Sequence, residues 1–160
     1  MGEGNVIDQH VVLVEPEIPQ NTGNVARTCA VTGCTLHLVE PLGFSIDEKH
    51  LKRAGLDYWD QLSYRVHKDF TSVERELEGY PFFLITTKGG KNYTEVNYQN
   101  SHVLIFGKET AGLPSWIMKK YKKSQVRIPM KEGLRSLNLG TAVAVVTYEA
   151  LRQNTFEGLL

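Results

Sequence analysis

Short apolar, β-branched runs recur along the chain at His10 to Val14, Thr35 to Val39, Tyr64 to His67, Phe82 to Thr86, His102 to Phe106 and Gln125 to Ile128. Helical patterns lie between most of them, and this rhythm predicts an α/β protein built on a parallel sheet. The first helix is expected from Thr22 or Gly23 to Thr32, closed by Gly33. A second is expected from Ser45 or Asp47 to Gly55, and a third from Asp69, with Gly79 closing it. Pro114 suits the first turn of a fourth, and Ser136 or Asn138 can cap a fifth that runs to Gln153.

The fifth helix carries Leu137, Leu139, Ala142, Val143, Ala144, Val145, Val146, Tyr148, Ala150 and Leu151. Apolar residues therefore cover most of its circumference rather than one stripe, so it must be buried on more than one side. Its own sheet and a second copy of the chain are the available partners. A dimer built on this helix is the economical expectation, although a helix sandwiched within one subunit would give the same pattern.

Three glycine-bearing loops each follow a predicted strand. The first is Pro19-Gln20-Asn21-Thr22-Gly23-Asn24 with Arg27 one turn on; the second is Phe106 to Pro114, with Gly107, Glu109 and Gly112; the third runs from Ile128 to Leu139. Loops at strand ends are where open α/β sheets place ligand sites. Small residues admit close backbone approach, and amides beside a helix start offer donors to anionic or carbonyl groups.

Composition narrows the partners without naming one. The 160 residues suit one domain, with residues 1–9 expected as a flexible N-terminal extension, and 18 basic residues balance 18 acidic ones. Neutrality argues against a uniformly cationic surface, yet local basic faces remain at Lys49, Lys52 and Arg53 and at Lys119, Lys120, Lys122 and Lys123. The bland reading of both is a solvated helix surface. No run approaches the roughly 20 apolar residues of a membrane span, and Met1 to Gln9 lacks a signal-peptide core, so a cytoplasmic protein is expected. Cys29 and Cys34 read as buried free thiols.

Several chemistries are disfavoured. Gly107 and Gly112 have the spacing of a phosphate-gripping loop, but Leu113 and Pro114 stand where Lys and Ser/Thr are required, and no dinucleotide fingerprint is present. The histidines (His10, His37, His50, His67, His102) are scattered, so no metal is expected and structural or surface roles are preferred for each. Ser136 reads first as a helix cap rather than a nucleophile. Arg27 reads either as a surface arginine or, beside a glycine loop, as a phosphate grip suited to its planar fork.

Together the loops closely resemble, in order and over nearly the whole chain, the three signature motifs of the SPOUT class of RNA methyltransferases, in its SpoU branch of ribose 2′-O-methyltransferases. Asn21, Thr22, Gly23, Asn24 and Arg27 match the first motif, Leu104 to Pro114 the second, and Arg127 to Glu149 the third. Glu15-Pro16-Glu17-Ile18-Pro19 and Arg53-Ala54-Gly55-Leu56-Asp57-Tyr58 look like the small enzymes that methylate the tRNA wobble nucleotide. Gly140 departs from the many relatives that carry serine there, which puts a local hydrogen bond in doubt.

The resemblance implies a parallel-sheet fold with a deep C-terminal trefoil knot, a homodimer, and tRNA and S-adenosylmethionine as reaction partners. By motif, the cofactor would touch Ile85, Gly107, Glu109, Ile128, Ser136 and Leu137, with Glu109 also ordering the second loop through backbone amides. Arg27, Asn24, Ser136 and Asn138 would serve the chemistry, and Asn21, Lys52, Arg53 and Arg135 the RNA. A guanidinium is a poor base at neutral pH, so positioning the target phosphate and 2′-hydroxyl is the expected role of Arg27. A knotted RNA-binding protein without catalysis, a methyltransferase for another RNA such as rRNA, and a nucleotide-cofactor oxidoreductase remain rival readings.

Overall fold

The computed structural model describes residues 7–47 and 56–160. The second expected helix, with Lys49, Lys52 and Arg53, falls largely outside them. Seven strands form one sheet: β1 (Asp8–Val14), β2 (Thr35–Val39), β3 (Tyr64–His67), β4 (Phe82–Ile85), β5 (Lys91–Asn92), β6 (Ser101–Phe106) and β7 (Gln125–Arg127). Their order is β3-β2-β1-β6-β4-β7-β5, and every neighbouring pair is parallel. Helices α1 (Pro19–Thr32), α2 (Phe70–Glu76), α3 (Ser115–Lys120) and α4 (Leu139–Gln153) cover the two faces.

The apolar runs are continuous because the central strands are covered on both sides, while side chains alternate between faces. Val11, Leu13, Leu36, Leu38, Leu104 and Phe106 pack with Val25 and Cys29 of α1 and Val143, Val146 and Ala150 of α4. Val12, Val14, Val39, Val103 and Ile105 point the other way, onto Phe70 and Val73 of α2 and Ile117 of α3. Since all strands run the same way, the loops after β1, β4, β6 and β7 share one edge. The order reverses where β1 meets β6, and crevices form at such reversals.

Some boundaries differ from the sequence reading. β1 begins at Asp8, which pairs in register with Ser101, so two residues assigned to the extension belong to the sheet. β5 was missed because Lys91 and Asn92 carry no apolar run. α1 begins at Pro19 rather than Thr22, with extended Ile18 at its N-cap and proline pre-set for the first turn. Asp69 caps α2 by accepting from the Ser72 amide, and Asn138, not Ser136, caps α4 by accepting from Gly140 N at 2.8 Å and Thr141 N at 3.4 Å.

α4 buries Gly140, Val143, Val146, Thr147, Ala150 and Leu151 against α1 and the sheet. Its outer side remains open, with Tyr148 43% exposed next to Val31 and Phe156, which with Leu159 and Leu160 line a shallow hollow.

Buried histidines set an acid limit on stability. Burial, with His10 and His67 adding to it, pushes His37 down from 6.5 to about 3, and burial pushes His102 down to about 4. A depressed folded-state value means that the unfolded chain binds protons which the folded chain refuses. Stability from these groups is complete above pH 6.5 and declines as pH falls towards 4, by up to about 1.4 kcal/mol per pH unit for each histidine. Urea midpoints that stay flat across that window would contradict this prediction.

Candidate active site

The shared strand edge holds a cavity of about 740 Å³, lined by residues that follow β4, β6 and β7. Ile85, Gly107, Glu109, Ile128, Ser136 and Leu137, all expected at a cofactor, line it together, and so does Arg135, expected at the RNA. Its size and its walls of Ile85, Ile128, Met130, Leu137 and Leu139, mixed with a few polar groups, have the character of a small-molecule site. The sequence reading stopped at Ile85 and missed Thr86, Thr87 and Lys88, which also line the cavity. The signal was available, because in a parallel sheet the loop after the fourth strand must open on the same edge as the others.

The second loop is a tight turn. Lys108 N donates to Gly112 O at 3.3 Å and Gly112 N donates back to Lys108 O at 2.9 Å. Gly107 lies so close beneath this turn that a Cβ there would come within 2.2 Å of the Gly112 carbonyl carbon.

Carboxylates lace the first and second loops reciprocally. Glu109 accepts from Glu17 N at 2.9 Å, Ile18 N at 3.0 Å and Asn21 Nδ2 at 3.2 Å. Glu17 accepts in return from Thr110 N at 3.0 Å and Thr110 Oγ1 at 2.9 Å, and these bonds hold its carboxyl below the usual range. Lys108 Nζ lies 3.6 Å from Glu15 Oε1. Glu109 thus braces the amides at the start of α1, where no side chain of α1's own N-cap serves, rather than ordering its own loop as expected. Glu109→Ala would strand the Glu17 and Ile18 amides and should cost about 1–3 kcal/mol, with Glu109→Gln milder. Denaturant midpoints of the two variants check this, and equal, negligible losses would contradict it.

The third loop joins the same brace. Asn138 Nδ2 donates to Asn21 Oδ1 at 3.0 Å, while its Oδ1 caps α4. Asn21 is 9% exposed and engaged at both ends of its amide, by Asn138 and by Glu109. Neither asparagine lines the cavity. These hydrogen bonds join the starts of α1 and α4 to the second loop through Asn21 and Asn138, the first expected at the substrate and the second in the chemistry. Ser136, relieved of capping, is exposed at the cavity wall.

Asn24 and Arg27 are exposed three residues apart on α1, hence on one side of it, and neither lines the cavity. The starts of α1 and α4 touch here: a Cβ at Gly140 would lie 3.2 Å from Asn138 Oδ1 and 3.3 Å from Asn24 Cβ. The expected substrate contacts Lys52 and Arg53 lie outside the described residues.

A family model described as the SpoU rRNA Methylase family matches residues 8–148. A tRNA (cytidine(34)-2'-O)-methyltransferase from Yersinia pestis is 48% identical over 157 residues, spanning 94% of this chain and 97% of that protein. A solved structure presented as structural insights into the 2-OH methylation of C/U34 on tRNA is similar with a TM-score of 0.89 and 43% identity, covering 94% of this chain and 99% of that one. The SpoU methyltransferase AviRb from Streptomyces viridochromogenes, in complex with AdoMet, shares the fold at a TM-score of 0.82 and 23% identity, over 94% of this chain and 62% of that one. With a match over most of its length and a parallel sheet whose loops converge on one cavity, the chain belongs to the SpoU methylase family.

Proposed function

We propose that the protein is an S-adenosylmethionine-dependent tRNA 2′-O-methyltransferase that acts on the ribose of nucleotide 34, a cytidine or uridine. The observation that carries the reading is the convergence of all six motif-assigned cofactor residues on one cavity, in a chain 48% identical to a relative named for that reaction. The cofactor fits the residues present: apolar side chains suit the adenine, and the loop backbones and Ser136 offer polar contacts. When bound, it supplies an electrophilic methyl group on a sulfonium.

The chain's own residues have three tasks. The cavity wall would orient the donor, with Ile85, Ile128 and Leu137 set to hold its apolar part. Arg27 holds the phosphate next to the target and turns the 2′-oxygen towards the methyl, while Asn24 steadies the ribose. The brace of Asn138, Asn21 and Glu109 keeps the first loop in register with the wall, since a small misplacement in a displacement reaction is costly. In the transfer the bond from the sulfonium sulfur to the methyl would break as the 2′-oxygen takes the methyl, its electron pair staying on sulfur to leave the neutral thioether S-adenosylhomocysteine, while the 2′-hydroxyl proton leaves to solvent.

A deep trefoil knot and a homodimer belong to the same proposal. In support of the knot, β7 lies beyond β4 while α4 packs beside α1 and β6, so residues 128–138 must cross the strand ends between them. In support of the dimer, Val31, Tyr148 and Phe156 leave an apolar strip on the outer side of α1 and α4. Among the described residues no helix is long and apolar enough to cross a membrane, and a tRNA substrate favours a cytoplasmic enzyme.

The RNA surface is tested at the helix rim. Lys120 is tied to Glu74 at 2.7 Å, which leaves Lys119, Lys122 and Lys123 as the better phosphate contacts. Replacing these three with alanine should weaken tRNA binding and flatten its salt slope by about 0.7–0.9 for each phosphate no longer neutralised, while calorimetric cofactor affinity stays unchanged. Unchanged tRNA affinity and slope would return them to the solvated surface.

A further inference from the structure

Three histidines that look unrelated in sequence form one line across β1, β2 and β3. His10 Nε2 lies 2.8 Å from Asp8 Oδ1, His10 Nδ1 lies 2.9 Å from His37 Nε2, His37 Nδ1 lies 2.9 Å from His67 Nε2, and His67 Nδ1 lies 2.8 Å from Ser72 Oγ. An ionised carboxylate only accepts, and Tyr80 already donates to the other Asp8 oxygen. His10 therefore carries its proton on Nε2 and accepts on Nδ1, so His37 donates from Nε2. That leaves the Nδ1 lone pair of His37 facing His67. Glu76 Oε2 lies 3.9 Å from His37 Nδ1, and the three donor atoms fall within 4.8 Å of one another.

We propose that His37 Nδ1, His67 Nε2 and Glu76 Oε2 form a zinc site that pins α2 to β2 and β3. Two imidazoles and a carboxylate are a donor set that zinc favours. Bonds of about 2.0–2.2 Å at tetrahedral angles separate donors by about 3.3–3.6 Å, against 2.9 Å between His37 and His67, 3.9 Å between His37 and Glu76, and no more than 4.8 Å for the remaining pair, so binding needs only a shift of the exposed Glu76 carboxylate. Outer partners are in place as well. His37 keeps its proton on Nε2, donating down the line to Asp8, and His67 shifts its proton to Nδ1, where Ser72 Oγ accepts it. His37 is fully buried, but the Glu76 side chain is 39% exposed and opens the fourth position to water. None of these residues lines the large cavity, so the site is independent of methyl transfer.

Arg65 supplies a sharp discriminator. Its Nε lies 3.0 Å from the same Glu76 oxygen, and its side chain is 61% exposed. It competes for the carboxylate as a cation and can swing away. Removing it should strengthen zinc binding, which no adventitious surface site would do.

The test uses the whole chain, stripped with chelator and titrated with Zn²⁺ against a chromogenic chelator, together with Co²⁺ absorption. Because His37 and His67 are core residues, the variants are the exposed ligand and its exposed competitor. The expected results are one zinc per chain, an affinity about tenfold or more weaker in Glu76→Gln, and a several-fold tighter one in Arg65→Ala. Co²⁺ should give four-coordinate d–d bands without a thiolate charge-transfer band. Failure to take up one equivalent, indifference of affinity to both variants, or a thiolate band implicating Cys29 or Cys34 would each overturn the site.

Discussion

Gly107→Ala should leave a folded protein whose affinity for S-adenosylmethionine is lower by about a hundredfold or more. The added Cβ would sit 2.2 Å from the Gly112 carbonyl carbon and 2.3 Å from Leu113 N, and backbone atoms cannot turn aside as a side chain can. The turn closed by Lys108 and Gly112 must open, and with it goes the wall between Ile85 and Ser136. Damage should spread to the first loop, because Glu109 and Thr110 sit in that turn and hold Glu17 and Ile18. Overpacking of this kind costs about 1–3 kcal/mol, a fraction of the 5–15 kcal/mol typical of a domain, so the fold survives with Tm lower by about 2–10 °C. Gly112→Ala is the control: a Cβ there meets nothing within 4 Å, and only its φ of +70° resists. It should cost about 1 kcal/mol and spare most binding. Equal behaviour of the two variants, in calorimetry and melting, would refute the close-approach account.

Arg27→Ala should lower kcat on tRNA by about 10²–10⁴ while cofactor affinity is unchanged, because Arg27 does not line the cavity. Arg27→Lys keeps the charge but loses the planar fork, so it should recover only part of the rate. The split separates positioning from binding: a variant that raised KM alone would make Arg27 a simple phosphate contact. Wild-type turnover in Arg27→Ala would remove it from the mechanism.

The fold was legible where burial wrote it into composition. Five of the six expected strands match to within a residue at either end; in the central ones this follows because strands buried on both faces must be apolar along their length, while the sixth, β1, gains Asp8 and Gln9 through pairing with β6. Two-residue β5 left no such trace, since Lys91 and Asn92 join the sheet only through β7. The start of α1 was misread because its amides are braced by Glu109, 91 residues beyond Ile18, where no local cap could announce it. The cavity residues were read from motifs, but the division of labour among them was not. The motifs marked Asn21 and Asn138 as site residues but could not announce the bonds that join them to one another, to Glu109 and to the start of α4. The histidine line was invisible for a similar reason: register between parallel strands, not spacing along the chain, brings His10, His37 and His67 together.

The central claim is methyl transfer to a ribose in the anticodon loop. The direct measurement is incubation of the purified protein with undermodified tRNA and methyl-labelled S-adenosylmethionine, followed by nucleoside mass spectrometry and mapping of the labelled position. Label in 2′-O-methylcytidine or 2′-O-methyluridine at nucleotide 34 is the predicted result. Tight binding of both cofactor and tRNA with no label in any ribose, or label confined to a base or to another position, would contradict the account.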